Sequence, residues 1–220
     1  MKTLFPAMIA LLAMTFAATT QAQDKAGDAA AGQKKNAMCI GCHGIVGYQA
    51  SFPEIYKVPM IAGQNAKYIV AALNAYKKGD RKHPTMRSIA DSLSEQDMAD
   101  LAAYYEAEGG ARTELPAEPA KGPDPAVAAL LTKGSCAACH GANFSKPIDG
   151  TYPKLAGQHA DYLYVALKAY ATQGNPNVGR SHAIMGAQVK AFSHAELKGL
   201  SSYLAALPSD LKTVPQSKFK

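Results

Sequence analysis

Four short blocks of this sequence occur twice and in the same order, and a chain built that way folds as two copies of one small domain. Cys39-Ile40-Gly41-Cys42-His43-Gly44 returns as Cys136-Ala137-Ala138-Cys139-His140-Gly141, and Pro59-Met60-Ile61-Ala62-Gly63-Gln64 returns as Pro153-Lys154-Leu155-Ala156-Gly157-Gln158. Arg81-x-His83-x-x-Met86 returns as Arg180-x-His182-x-x-Met185, and Ser94, Leu101 and Tyr104 match Ser193, Leu200 and Tyr203. Between the copies, residues 114–125 hold Pro116, Pro119, Pro123 and Pro125, which lack backbone donors and favour an extended linker. The expected division is a domain over 23–113, the linker 114–125, a second domain over 126–208 and a tail over 209–220.

Within each copy the apolar pattern is helical. Tyr68, Ile69, Ala72, Leu73 and Tyr76 fall on one helical face, as do Tyr162, Leu163, Ala166, Leu167 and Tyr170. Ser94-x-x-Asp97 and Ser193-x-x-Glu196 have the spacing of capping boxes that open a last helix, with Gly109-Gly110 and Pro208 as stops. No stretch alternates apolar and polar residues convincingly, so the expected fold is all-α, without a sheet. Copies of roughly 85–95 residues bury little surface by themselves, so something besides side chains should fill each core.

The start of the chain is of a different kind. Lys2, an apolar run from Leu4 to Ala18 and a small residue at Ala22 make a secretory signal peptide over 1–22, cut before Gln23. A run of roughly 15 apolar residues is short for a bilayer span. The remainder, 48% apolar and 18% charged across the full chain, is that of a soluble globular protein and not of a disordered one. Its charge is uneven: residues 23–117 carry 11 basic and 11 acidic side chains, and residues 118–220 carry 11 and 6. No basic run or aromatic-interleaved basic stripe accompanies the excess, so no nucleic-acid partner is expected.

The cysteines state what fills the cores. They occur only as C-x-x-C, and each pair is followed at once by histidine. Two thiols three residues apart on a helical turn can each add to one vinyl group of a porphyrin, and the adjacent imidazole then lies under the iron. This is the attachment pattern of c-type haem. Cys39 and Cys42 would carry one haem on His43, and Cys136 and Cys139 a second on His140. A thioredoxin-like dithiol needs a strand–helix setting, and a structural zinc site needs a second ligand pair nearby; neither is present in the sequence.

The repeat also sorts candidates for the sixth iron ligand. Met60 falls on Lys154 and Met98 on Leu197, whereas Met86 alone matches a methionine, Met185. Met86 and Met185 lie 43 and 45 residues after their histidines, in Gly- and Pro-containing segments expected to be loops. His83 and His182 are the competing ligands. Otherwise they are candidates for hydrogen bonds to haem propionates, beside Arg81 and Arg180. Pro59 and Pro153 are candidates to accept the proximal imidazole N–H. Gly63-Gln64 and Gly157-Gln158 either let backbone approach the ring or simply turn the chain before a helix.

With all these blocks present twice, the chain resembles the dihaem cytochrome c4 family over nearly everything after residue 22. The resemblance implies a periplasmic electron carrier with two covalently bound haem c groups, and axial ligation by His43 with Met86 and by His140 with Met185. It further implies redox-protein partners: a quinol-oxidising complex as donor and a terminal oxidase as acceptor, with the membrane surface met only transiently through those complexes. An electron-transfer subunit docked on a dehydrogenase such as a flavoprotein is the alternative. A dihaem peroxidase or gas sensor would need an open iron position, against which the matched methionines argue. The spacing between blocks differs between copies, being three residues shorter from His140 to Pro153 and five longer from Tyr170 to Met185.

Overall fold

The computed structural model describes residues 26–110, 115–119 and 121–215; the expected signal peptide lies outside them. Two helical units follow one another. The first comprises α1 (Ala29–Lys35), α2 (Ala37–His43), α3 (Ala66–Lys78), α4 (Pro84–Asp91) and α5 (Glu95–Glu108). The second comprises α6 (Pro125–Lys133), α7 (Ala137–His140), α8 (Ala160–Ala171), α9 (Ala183–Val189) and α10 (His194–Ala205). None of the described helices is long and apolar enough to cross a membrane.

Local sequence explains the helix ends. Asp28 caps α1 by accepting from the Ala30 and Ala31 amides, and Asp124 caps α6 by accepting from Val127. Both expected capping boxes form, Ser94 with Asp97 on α5 and Ser193 with Glu196 on α10. In the first unit α1 crosses α5 at Gly32, where a Cβ would run into the Asp100 carbonyl and the Tyr104 side chain. That absent methyl lets two helix backbones touch. Ala62, Ile69, Ala102, Tyr104 and Tyr105 form the first core, with Leu93, Met98 and Leu101 beside it. Phe144, Ala156, Leu163, Leu204 and Leu207 form the second.

Two small ladders depart from the purely helical expectation. β1 (Gln49–Ala50) pairs antiparallel with β2 (Tyr56–Lys57), within the stretch by which the first copy is longer. β3 (Arg81–Lys82) pairs antiparallel with β4 (Gly179–Arg180), Arg81 opposite Arg180, and so joins the two units. Strands of two residues are too short for alternation to register in sequence.

The units also exchange their extensions. Lys212, in the tail of the second, bridges to Ala62 of the first, and Val214 packs on the first core. The linker lies the other way, with the Pro116 carbonyl accepting from Asn143 of the second unit.

Candidate functional site

Each cysteine block is a short helix that ends at its histidine, so α2 and α7 hold thiols and imidazole on one turn. All four cysteines are free thiols, half-buried. Cys39 packs against both parts of the first core, and burial pushes its thiol up to about 11. Cys136 sits against the second core. Among the described residues no three His, Cys, Asp or Glu side chains gather as a metal cluster.

The proximal histidines are held alike. His43 Nδ1 lies 2.8 Å from the Pro59 carbonyl and His140 Nδ1 lies 3.0 Å from the Pro153 carbonyl. A carbonyl only accepts, so Nδ1 carries the proton and Nε2 keeps its lone pair. Burial lowers both imidazoles' pKa, partly offset by these carbonyls, which keeps them in the neutral, metal-binding form.

Each unit also holds its matched methionine on a helix rather than a loop. Met86 and Met185 each occupy the third position of a short helix, α4 and α9, and both are half-buried. His83 and His182 are the N-caps of those helices: His83 Nδ1 accepts from the Met86 amide at 3.3 Å, and His182 Nδ1 from the Met185 amide at 3.2 Å. His83 Nε2 is taken by the Tyr56 hydroxyl at 3.0 Å. The repeated histidines thus cap the helices that carry the methionines, and in His83 both ring nitrogens are engaged.

Arg81 and Arg180 stand opposite each other in the β3–β4 ladder between the units. Arg81 donates to the Tyr68 hydroxyl at 3.1 Å and lies over the Tyr68 and Tyr76 rings; Arg180 donates to Tyr162 at 3.1 Å and lies over Tyr162 and Tyr170. Among the described residues neither guanidinium pairs with a carboxylate. Two half-buried like charges on facing strands call for anions, and haem propionates would supply them. The thiols, the lone-paired imidazoles, the matched methionines and the unneutralised arginines together fit a haem in each unit.

The glycines of the Gly-Gln pairs serve another close approach. A Cβ on Gly63 (φ 83°) would strike the Asp210 carbonyl, and one on Gly157 (φ 71°) would strike Ser209. The glutamines are buried and reach across the interface, Gln64 to the backbone of Lys154 and Gln158 to that of Met60. Their recurrence was the only sequence signal of this role.

Comparison with known proteins agrees with this geometry. The Cytochrome c family model matches residues 29–106 and again 126–208. Cytochrome c4 of Azotobacter vinelandii is 33% identical over 200 residues, covering 83% of this chain and 90% of the relative. The crystal structure of reduced recombinant cytochrome c4 from Pseudomonas stutzeri superposes with a TM-score of 0.61 at 31% identity, over 83% of this chain and all of that one (100%). A thiosulfate dehydrogenase electron acceptor from Stutzerimonas stutzeri strain A1501 is 31% identical over 183 residues, covering 76% of this chain and 77% of the relative. The chain therefore belongs to the cytochrome c4 family, as a dihaem electron carrier with two covalently bound haem c groups, one for each of its cytochrome c domains.

Proposed function

We propose that Cys39 and Cys42 tether the first haem between His43 and Met86, and Cys136 and Cys139 the second between His140 and Met185. The haem-bearing units are residues 23–113 and 126–208, joined by 114–125 and followed by the tail 209–220. What supports this reading above all is the doubled constellation: a histidine fixed through Nδ1 by a proline carbonyl, and a methionine on a helix capped by a second histidine. Each haem supplies a single-electron ferric/ferrous couple, which paired histidine and methionine ligation raises in potential. The chain's own residues hold the imidazole tautomer, cover the ring and neutralise propionates through Arg81 and Arg180. Histidine and methionine holding each iron together would leave oxygen and peroxide no vacant site.

The pathway reading is a carrier exported to the periplasm by residues 1–22, taking electrons from a quinol-oxidising complex and delivering them to a terminal oxidase. The charge distribution adds direction. Counting about two propionate carboxylates per haem, residues 23–117 carry about −2 and residues 118–220 about +3. The two ends should therefore meet partners of opposite sign in weak, salt-sensitive encounters. The relative named as an electron acceptor of thiosulfate dehydrogenase supports a second reading, in which the donor is a dehydrogenase.

Mass analysis of protein matured in its native host should find two haem adducts and an N-terminus at Gln23. Ferrous protein should fail to bind carbon monoxide at native pH; prompt binding would overturn the carrier ligation. Association rates with donor and acceptor should respond oppositely to charge reversals on a given domain, and identical responses would refute the two-ended charge model.

A further inference from the structure

The bond that fixes each proximal histidine does not end within its own domain. The Pro59 carbonyl that accepts from His43 at 2.8 Å belongs to the same planar peptide as the Met60 N–H. That N–H donates to Gln158 Oε1 of the second domain at 3.0 Å, and Gln158 Nε2 donates back to the Met60 carbonyl at 2.8 Å. The mirror arrangement holds for the other haem. The Pro153 carbonyl accepts from His140 at 3.0 Å, the Lys154 N–H donates to Gln64 Oε1 of the first domain at 2.9 Å, and Gln64 Nε2 donates to the Lys154 carbonyl at 3.1 Å. Both glutamines are 4% exposed and Lys154 is 5% exposed, so the Gln64–Lys154 bonds are shielded from water, while the Gln158–Met60 bonds are partly buried.

We propose that each glutamine tunes the haem of the opposite domain, Gln158 acting on the first haem through the Pro59–Met60 peptide and Gln64 on the second through Pro153–Lys154. The reasoning rests on the ligand assignment above. A peptide whose N–H is hydrogen-bonded is more polarised, and its carbonyl is a stronger acceptor. A stronger acceptor draws the Nδ1 proton and gives the imidazole more anionic character, which favours ferric iron and lowers the potential. The two relays run in opposite directions across one interface. Any movement that separates the domains, including one induced by a partner, raises both potentials together. Gln64 and Gln158 are thus positioning residues that make domain contact a redox variable.

The test is a redox titration of Gln158→Leu, Gln64→Leu and Gln158→Glu, with the two haems distinguished by NMR and assigned through Met185→His, which alters the second haem's signals alone. Gln158→Leu should favour ferrous iron at the first haem by about threefold, or about 28 mV at 59 mV per tenfold for one electron, and leave the second unmoved. Gln64→Leu should do the converse. Gln158→Glu keeps and strengthens the acceptor, so it should lower the first potential. In the ferrous state the His43 Nδ1 proton should move upfield in Gln158→Leu, a shift that mere loosening of the interface would not confine to the opposite haem. Equal shifts at both haems, or a fall at both from water entry, would overturn the coupling. Missing haem adducts, or loss of the methionine–iron absorption band in these variants, would instead overturn the ligand assignment beneath it.

Discussion

Met86 and Met98 lie twelve residues apart in the first domain, and truncating each to alanine should have opposite consequences. Met98 is 1% exposed and packs with Leu93 and Leu101, against Leu73 and Cys39. Met98→Ala removes three heavy atoms from a fully buried site whose neighbours are on three different elements and cannot all collapse inward. Losses at such sites run at about 2–5 kcal/mol, transfer and cavity terms together. We expect ~3 kcal/mol here, which for a domain of this size lowers its midpoint by roughly 10–20 °C. The iron ligands remain, so the methionine–iron band and both potentials should stay close to the parent's.

Met86→Ala leaves the core alone. The residue is half-buried at the third position of α4, where alanine is the best helix former. What it should remove is the sixth ligand of one haem: half of the methionine–iron band disappears, that haem becomes high-spin when ferric, and ferrous protein binds one carbon monoxide. Thermal unfolding by circular dichroism and optical titration of the same samples separate the two outcomes. If Met98→Ala abolishes half of the band, or Met86→Ala leaves it whole, the sorting of methionines by repeat matching is wrong.

Three further outcomes follow from particular contacts. Tyr56→Phe removes the hydroxyl bound to His83 Nε2 and so loosens the cap of the Met86 helix. A bond worth about 0.5–1.5 kcal/mol should translate into roughly 2–10-fold tighter imidazole binding at the ferric first haem, read by optical titration, and unchanged affinity would refute the buttressing. The Asp100 carboxylate, held down to about 2 by Lys35, the Asp28 amide and Gln96, is depressed in the folded state. Its contribution is therefore complete above the unfolded carboxylate value and lost as pH falls from about 4 to about 2. Asp100→Asn should flatten the first domain's acid stability profile over that window, and an unchanged profile would count against the Lys35–Asp100 contact. Gly32→Leu would force α1 off the Asp100 carbonyl and Tyr104, costing about 1–3 kcal/mol in chemical unfolding, whereas a neutral result would mean the helices do not cross there.

Local chemistry was legible and placement was not. The cysteine–histidine blocks, both capping boxes and the proline carbonyls over His43 and His140 all depend on fixed short spacings or on one matching pair, and the structure has them as expected. The caps made by His83 and His182 were missed because histidine is an uncommon N-cap and the following Met amide is invisible as a partner in sequence. The loop expected around Met86 became a helix because Pro84 at the first position suits a helix start as well as a turn, and that around Met185 became one opened by the His182 cap. The β1–β2 hairpin, which puts Tyr56 under His83 in the first copy only, was announced by nothing but a three-residue difference in spacing.

The repeat itself concealed the interface, and for a geometric reason. Two like domains facing each other across an approximate two-fold axis use the same patch on both sides, so residue i meets j′ while i′ meets j. Every interfacial residue then recurs in sequence as faithfully as every core or ligand residue. Gln64 and Gln158 recur for that reason, each bonding the other domain's backbone, and Arg81 and Arg180 recur with both duties, their backbones paired across the interface and their guanidiniums on tyrosines of their own domain. Matching between copies therefore finds that a residue has a shared duty without saying whether it is owed within the domain or across to its twin. For Gln64 and Gln158 the distinction is the whole of the function, since the peptides they bind are the ones that hold the proximal histidines. An electron carrier built this way carries the state of its domain contact in the energy of both irons.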